Sequence, residues 1–359
     1  MNITVLGGGH GSYAAAADLT HHGHQVTLWR RDAAALAALA EAPELTIADA
    51  GGEATVRLHH CTADLGAAVA DAELILVPLP ATAQDDLAAA LAPHLRDGQV
   101  VYLTPGTFGA YVMARRVRDL GGRAEVAFAE TGTLPYLARK HGENKVAITT
   151  RATHLPTGVF PARHTAHALA VIQKAYPCAH AVEDALSAAL MNAGPVIHPP
   201  LILMNAGPLN RSRDFDIHNE GTQPLVRRVT HRLDDERMAV RAALGYGEPH
   251  YPLRDHYEGK DWMYGPKSHS GLVQSGDWRE PIDLTSHRYM REDVAMGLAF
   301  MVSVADWARV PVPIARGLLN LGGAVCDEDF EDGPRSWRGL GLSGHSIADM
   351  QKELQHGFH

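Results

Sequence analysis

The 359-residue sequence has little cysteine: Cys61, Cys178 and Cys326 are its only three. They are widely spaced and form no CxxC pair, which argues against a disulfide scaffold or a zinc module and suits a reducing compartment. A basic excess is also missing. Thirty-two Lys and Arg against 41 Asp and Glu give a formal charge of -9, so no electrostatic footprint for nucleic acid is offered. No run reaches the roughly 18 apolar residues that span a bilayer. The N-terminus, MNITVLGGGHG, has no basic segment leading into an apolar one, so no secretory signal is read there. The expectation is a soluble cytoplasmic protein with neither a membrane nor a nucleic-acid partner. What is present, 46% hydrophobic and 20% charged residues, is the make-up of a globular chain long enough for two domains.

Over the first 150 residues, short β-rich runs alternate with helical ones. NITVLG leads through glycines into SYAAAADLTHHG, and QVTLWRR leads into DAAALAALAEA. LILVPLP, VVYLTPG and VAFAE are further buried-strand candidates. This rhythm predicts an α/β fold with a doubly wound parallel sheet of Rossmann type. Gly and Pro follow the strands directly, Pro78 after LILV among them, where such sheets place their ligand loops. Beyond about residue 155 helical patterns dominate, as in TAHALAVIQKAY, PLVRRVTHRLDDERMAVRAALGY and REDVAMGLAFMVSVADWARV. The predicted boundary falls in the Pro- and Gly-containing stretch 151–164. It divides a nucleotide-binding domain, 1–155, from an all-helical substrate and catalytic domain, 156–359. The segment DWMYGPKSHSGLVQSGDWREPIDLTSHRY reads as a long structured loop, and the tail past it ends in a short helix that would cover the substrate domain.

The first strand runs into Gly7-Gly8-Gly9-His10-Gly11-Ser12, a GxGxxG pattern with Ser12 in the third place. Gly7 permits a tight turn, and Gly9 lets backbone N–H groups approach a pyrophosphate. A helix starting near His10 points its positive end at that charge. A lone glycine trio is weak evidence, but between a strand and a helix it favours a dinucleotide site over a merely structural turn. NAD sites usually place an acid at the end of the second strand, about 20 residues on. Here that end reads Leu28-Trp29-Arg30-Arg31. A carboxylate would repel a 2′-phosphate, whereas a guanidinium binds it through paired hydrogen bonds. Arg30 and Arg31 therefore favour NADP over NAD, unless both are solvated and Asp32 serves the ribose.

Two further stretches hold candidate chemistry. LMNAGPVIHPPLIL places His198 before Pro199 and Pro200 inside an apolar run. A neutral imidazole beside a nicotinamide would exchange the proton that accompanies hydride transfer; the plainer alternative is a core histidine bonded to a carbonyl. The prolines read as the device that ends the helix and aims the imidazole. Asn192 either supports substrate and histidine or caps a helix end. In RYMREDV, Asp293 would orient an imidazole and Arg288 would clamp a carboxylate, although acids at a helix start also simply favour the macrodipole. The HHGH of His21 to His24 sits in an inter-element loop, and no metal is expected there.

Over essentially its whole length the chain resembles the opine dehydrogenase family, the NAD/NADP octopine and nopaline dehydrogenases, in its bacterial form. The resemblance runs through VLGGGHGSYAAAADL, LILVPLPA, TPGTFGA, AFAETGTLPY, NAGPVIHPPLILMNAG, RLDDERMAV and SHRYMREDVAMGL. It implies that His198 is the catalytic histidine, Asp293 its carboxylate partner and Arg288 the substrate arginine, and that Glu130 lies near the nicotinamide. The implied reaction joins an amino acid to a 2-oxo acid, typically pyruvate, and reduces the imine between the domains; a homodimer is implied by the same analogy. Bacterial members often carry an acid where this chain has Arg30, a departure that bears on cofactor choice alone. Two other readings are open. One is a 2-dehydropantoate or glycerol-3-phosphate type reductase; the 2-dehydropantoate class would use a lysine donor that the His198 region does not supply. A non-catalytic NADP sensor would have no need of the His–Asp–Arg set.

Overall fold

The computed structural model describes residues 1–358. Its strands are β1 (Asn2–Leu6), β2 (Gln25–Trp29), β3 (Glu44–Asp49), β4 (Gly52–Arg57), β5 (His60–Thr62), β6 (Leu74–Val77), β7 (Val100–Leu103), β8 (Ala127–Thr131), β9 (Tyr136–His141), β10 (Lys145–Arg151), β11 (Leu155–Phe160) and β12 (Ala179–Ala181). β6 and β7 are buried at every position, as parallel strands covered on both faces must be. They belong to an eight-stranded sheet of order β12-β11-β8-β7-β6-β1-β2-β5. All neighbours in it run parallel except β11 against β8. From β1 the chain first builds outward through β2, then returns to the other side through β6. The order therefore reverses between β1 and β6, and the loops at their carboxyl ends flank the crevice where such sheets bind ligands.

A second sheet, of order β4-β3-β10-β9, was not anticipated from the sequence. Helix α1 (His10–His21) packs on β1 and β2 of the large sheet and on β3, β9 and β10 of the small one. Its run Ser12 to Leu19 is buried all round, which explains the string of alanines: small side chains let both layers approach. Asp18, 5% exposed on this helix, accepts two hydrogen bonds from Arg151 of β10, at 2.9 and 2.7 Å, and Arg151 also reaches Asp49 of β3 at 2.7 Å.

The chain divides into two compact units. One holds residues 1–79, 83–189 and the chain from Glu353 on; the other holds 80–82 and 190–352. The boundary expected at 155 is thus moved. Residues 155–160 and 179–181 are strands β11 and β12, whose backbone pairing continues the large sheet, and the helix Thr165–Ala175 packs on that sheet. The C-terminal end also departs from the expectation: Tyr111 donates to Glu353 Oε1 at 2.5 Å, and the Phe358 ring lies 4.7 Å from Phe160. These contacts tie the last residues to the nucleotide unit.

Helices build the second unit, among them Gly194–Met204, Pro224–Ala243, Ala299–Trp307 and Pro313–Cys326; its only β pairing among the described residues is the bridge Asp216–Arg279. The predicted long loop before Arg288 contains a short helix, Ser268–Ser275. Inside this unit Arg237, 4% exposed, pairs with Asp234 at 2.7 Å and donates to the carbonyls of Leu190 and His250 at 3.0 and 2.8 Å. Every polar group of this buried pair thus finds a partner, as burial demands. The stretch Ala185–Met204 meets the length and composition of a membrane span, yet 83% of its most apolar window is buried inside the protein.

Candidate active site

Glycines bring the helices of the second unit close enough for their side chains to meet. A Cβ on Gly194 would lie 2.2 Å from Asp293 Oδ1, and one on Gly297 would lie 2.2 Å from Pro195 Cγ. Only the missing side chains allow Gly194–Met204 to lie against Tyr289–Leu298, which winds as a π-helix. In such a helix bonds span five residues, a rare form found mostly at functional sites. The wider turn brings Arg288, at its N-cap, and Asp293 onto nearly one face.

Across this contact His198 Nδ1 and Asp293 Oδ2 are 2.7 Å apart, the short range of a charge-assisted bond. The side chains are 15% and 9% exposed. Burial pushes the Asp293 carboxyl above the usual carboxylate range, and Arg288 opposes that shift. With Nδ1 committed to Asp293, proton exchange falls to Nε2. The Tyr289 ring stacks on the imidazole at 3.7 Å and 14°, its hydroxyl is 3.1 Å from His218 Nε2, and the Arg288 guanidinium lies 4.9 Å from the same ring. Arg288 itself is exposed, open to an anionic ligand. Tyr289 and His218 escaped the sequence reading, although Tyr289 directly follows Arg288.

Pro199 and Pro200 do not end the helix. It begins at Gly194 and runs through them to Met204. Lacking N–H groups, they withdraw the donors that the Pro195 and Val196 carbonyls would receive from four residues on. Both prolines are buried, so the half-buried His198 sits just before the most enclosed part of the helix. Asn192 Oδ1 accepts from Gly194 N–H, at the start of this helix, at 3.0 Å.

In the nucleotide unit, Gly7 has φ +114°, a left-handed conformation that favours glycine, and a Cβ there would strike Leu79 and Ser12 at 2.6 and 2.7 Å. Gly9 is the N-cap of α1, and a Cβ there would meet nothing within 4 Å. Open space thus faces the amide groups that begin α1. Buried Ser12 donates to Leu6 O at 3.2 Å, which shows why a small residue suffices in the third place. Gly11 approaches Leu134 and Pro78, whose Cδ2 and Cβ a Cβ would meet at 3.1 and 3.4 Å. The turn, the open amides and the strand order fit a dinucleotide pyrophosphate.

Arg30 crosses this loop, with its Nε 2.4 Å from where a Gly8 Cβ would be, and donates to Tyr13 Oη at 3.0 Å and to Ala35 O at 2.8 Å. Lys140 of β9, also absent from the sequence reading, places Nζ 3.8 Å from the Tyr13 ring centre, while its N–H donates to His10 Nδ1 at 2.9 Å. Arg31 is exposed, and Asp32 is engaged as an acceptor for Ala35 N–H at 3.1 Å. Glu130 stands near the carboxyl end of β8. It is fully buried, and its Oε2 accepts from Gly109 N–H at 2.9 Å, at the start of the helix Gly109–Asp119. It braces the loop after β7, where Thr107 and Phe108 hold φ of 56° and 62°.

Comparison with known proteins agrees with this two-part construction. Residues 181–326 match the family NAD/NADP octopine/nopaline dehydrogenase, alpha-helical domain, and residues 3–150 match ketopantoate reductase PanE/ApbA. An opine dehydrogenase of Arthrobacter sp. (strain 1C) is 29% identical over 355 residues, 98% of each chain. An octopine dehydrogenase solved with NADH and agmatine superposes over 100% of both chains with a TM-score of 0.71 at 18% identity. A yersinopine dehydrogenase with NADP+ bound gives 0.66 at 16% identity, over 99% of this chain and 98% of the other. The chain is thus similar along its length to opine dehydrogenases, with residues 181–326 matching their α-helical domain behind a nucleotide domain that matches ketopantoate reductases.

Proposed function

We propose that the chain is an opine dehydrogenase, joining the amino group of an amino acid to a 2-oxo acid such as pyruvate and reducing the C=N bond so formed. The observation that carries this reading is the 2.7 Å His198–Asp293 pair with Arg288 on the same π-helix, within the part of the chain that matches the family's helical domain. Bound at the glycine loop, NADPH or NADH supplies the hydride. The loop's turn and the α1 amides hold the pyrophosphate. Arg30 and Lys140, gathered on Tyr13, hold the 2′-phosphate, so NADP is favoured over NAD.

Arg288 binds a substrate carboxylate. Asp293 fixes the tautomer of His198, whose Nε2 manages the substrate proton. The balance is simple: condensation of amine and ketone releases one water, hydride adds to the imine carbon, and one proton ends on the nitrogen. The protein works in the cytoplasm as a homodimer in this reading, which sedimentation analysis checks. The decisive experiment incubates the protein with NADPH, pyruvate and a panel of L-amino acids and other amines, following loss of reduced nicotinamide. Turnover that needs both pyruvate and an amine is expected. Equal turnover without amine would make it a 2-oxo-acid reductase, and none with any amine would sink the proposal.

A further inference from the structure

The reaction above does not use Tyr289, the residue in closest face contact with its acid. Tyr289 is 1% exposed, and its ring is fixed from several sides. Its hydroxyl meets His218 Nε2 at 3.1 Å, its backbone N–H donates to His287 Nδ1 at 3.2 Å, and the His287 ring stands edge-on to it at 4.5 Å and 73°. His218 is in turn held edge-on to Trp278 at 5.3 Å. The imidazole of His198 therefore rests on a buried ring held by contacts on several sides.

A hydrogen bond from Nδ1 to Asp293 fixes one point of the imidazole but leaves rotation about the bond axis. A face contact at 3.7 Å and 14° removes that rotation. The face of an aromatic ring carries negative partial charge and attracts a cation. We propose that Tyr289 is a positioning residue for His198, fixing the plane of its imidazole and favouring its protonated form, so that Nε2 carries a proton aimed in one direction. The groups that face this stack act in known senses. Asp293 favours the imidazolium and Arg288 disfavours it; Glu292 lies on the same helix, His218 stands edge-on to both the His198 and the Tyr289 rings, and His287 faces the Tyr289 ring.

The inference rests on His198 being the proton donor, and the test separates the two. Histidine-labelled protein is titrated by NMR, with no turnover required, and kcat and KM for NADPH are measured across pH. In Tyr289→Leu the His198 midpoint should fall by about 0.5 unit. Its kcat should fall at least about tenfold with KM for NADPH within about twofold. Tyr289→Phe keeps the ring and should retain the midpoint and most of kcat. A wild-type midpoint in Tyr289→Leu would overturn the proposal, as would Tyr289→Phe being as impaired as Tyr289→Leu. If Tyr289→Leu folds poorly, Tyr289→Met, whose flexible chain fills irregular space, takes its place with the same expectations. Absent turnover in the wild type with a shifted midpoint would refute the proposed function and leave the stack's role intact.

Discussion

In the nucleotide unit the candidate site is made of backbone: a left-handed Gly7, the N-cap Gly9 and the first amides of α1, all within a few residues of one another. In the helical unit it is made of side chains, and His198 and Asp293 are 95 residues apart. Yet both depend on glycine, in opposite senses. Gly9 leaves space for a ligand, whereas Gly194 leaves space for the protein's own carboxylate. A site built from backbone recognises charge and shape, while a site built from paired side chains moves protons. Variants that strike one and spare the other test that division.

The largest effect is expected from His198→Ala. It should lower kcat by about 10²–10⁴ while the dissociation constant for NADPH, read by cofactor fluorescence, stays unchanged. Unaltered turnover would remove His198 from the reaction. Next comes the same substitution at the two glycines. Gly194→Ala introduces a Cβ 2.2 Å from Asp293 Oδ1, although alanine is the better helix former. It should push Asp293 off the imidazole and cost roughly 10–100-fold in kcat, the range for losing an orienting partner, with cofactor affinity intact. Gly9→Ala meets nothing within 4 Å and has φ -83°, so the fold should tolerate it. Its cost should appear in the dissociation constant for NADPH, by about tenfold, or 1.4 kcal/mol. If both variants changed the same parameter, the division of labour would fail.

The two regions also differed in how far their sequence betrayed them. Gly7 to Ser12 was readable because strand, turn and helix are contiguous there and each residue's conformational demand is local. His198, Asp293 and Arg288 were named through a family resemblance; their spacing alone left the plain readings open, because helix packing brings them together. That packing turns on Gly194 and Gly297, whose importance is invisible until the partner helix is in place. The prolines misled for the same reason: burial of Pro199 and Pro200 and the packing around them carry the helix past two missing donors. Strands β11 and β12 were missed because Pro156 and Gly158 interrupt LPTGVF, AHA is only three residues long, and both depend on pairing with β8 and with each other. The small sheet had left a trace in ELTIADAGGEATVR, where Leu45, Ile47 and Val56 are buried about a Gly-Gly turn.

A smaller effect sharpens the cofactor side. Arg30 donates to Tyr13 Oη and the Ala35 carbonyl, with no carboxylate partner among the described residues, and Lys140 lies over the same tyrosine. Arg30→Asp should weaken NADPH relative to NADH by about tenfold or more, and Lys140→Ala should act in the same direction. Binding of ADP-ribose with and without the 2′-phosphate reads this without turnover. An unchanged ratio in both variants would return the site to NAD.

The smallest effect concerns Glu292, beside the His198–Asp293 pair yet bonded elsewhere. It accepts from Ala81 N–H at 3.2 Å, and Arg335 donates to Ala81 O at 3.0 Å, so two side chains hold one residue of the segment after β6. Burial, with Asp293 next, pushes its carboxyl from 4.5 to about 7, against the pull of Arg288, the Ala81 N–H and Arg335. A carboxyl raised in the fold binds its proton more tightly than in the unfolded chain. Its contribution to stability is therefore full below pH 4.5 and lost as pH rises through about 7. Asp293 is shifted in the same direction, so Glu292→Gln removes part of the slope and keeps the rest. The melting temperature of the variant minus that of the wild type should grow between about pH 5 and pH 8 by roughly 2–4 °C. A constant difference would mean that Glu292 titrates like an exposed carboxylate, and that the clamp on Ala81 is held by a charged group throughout that pH range.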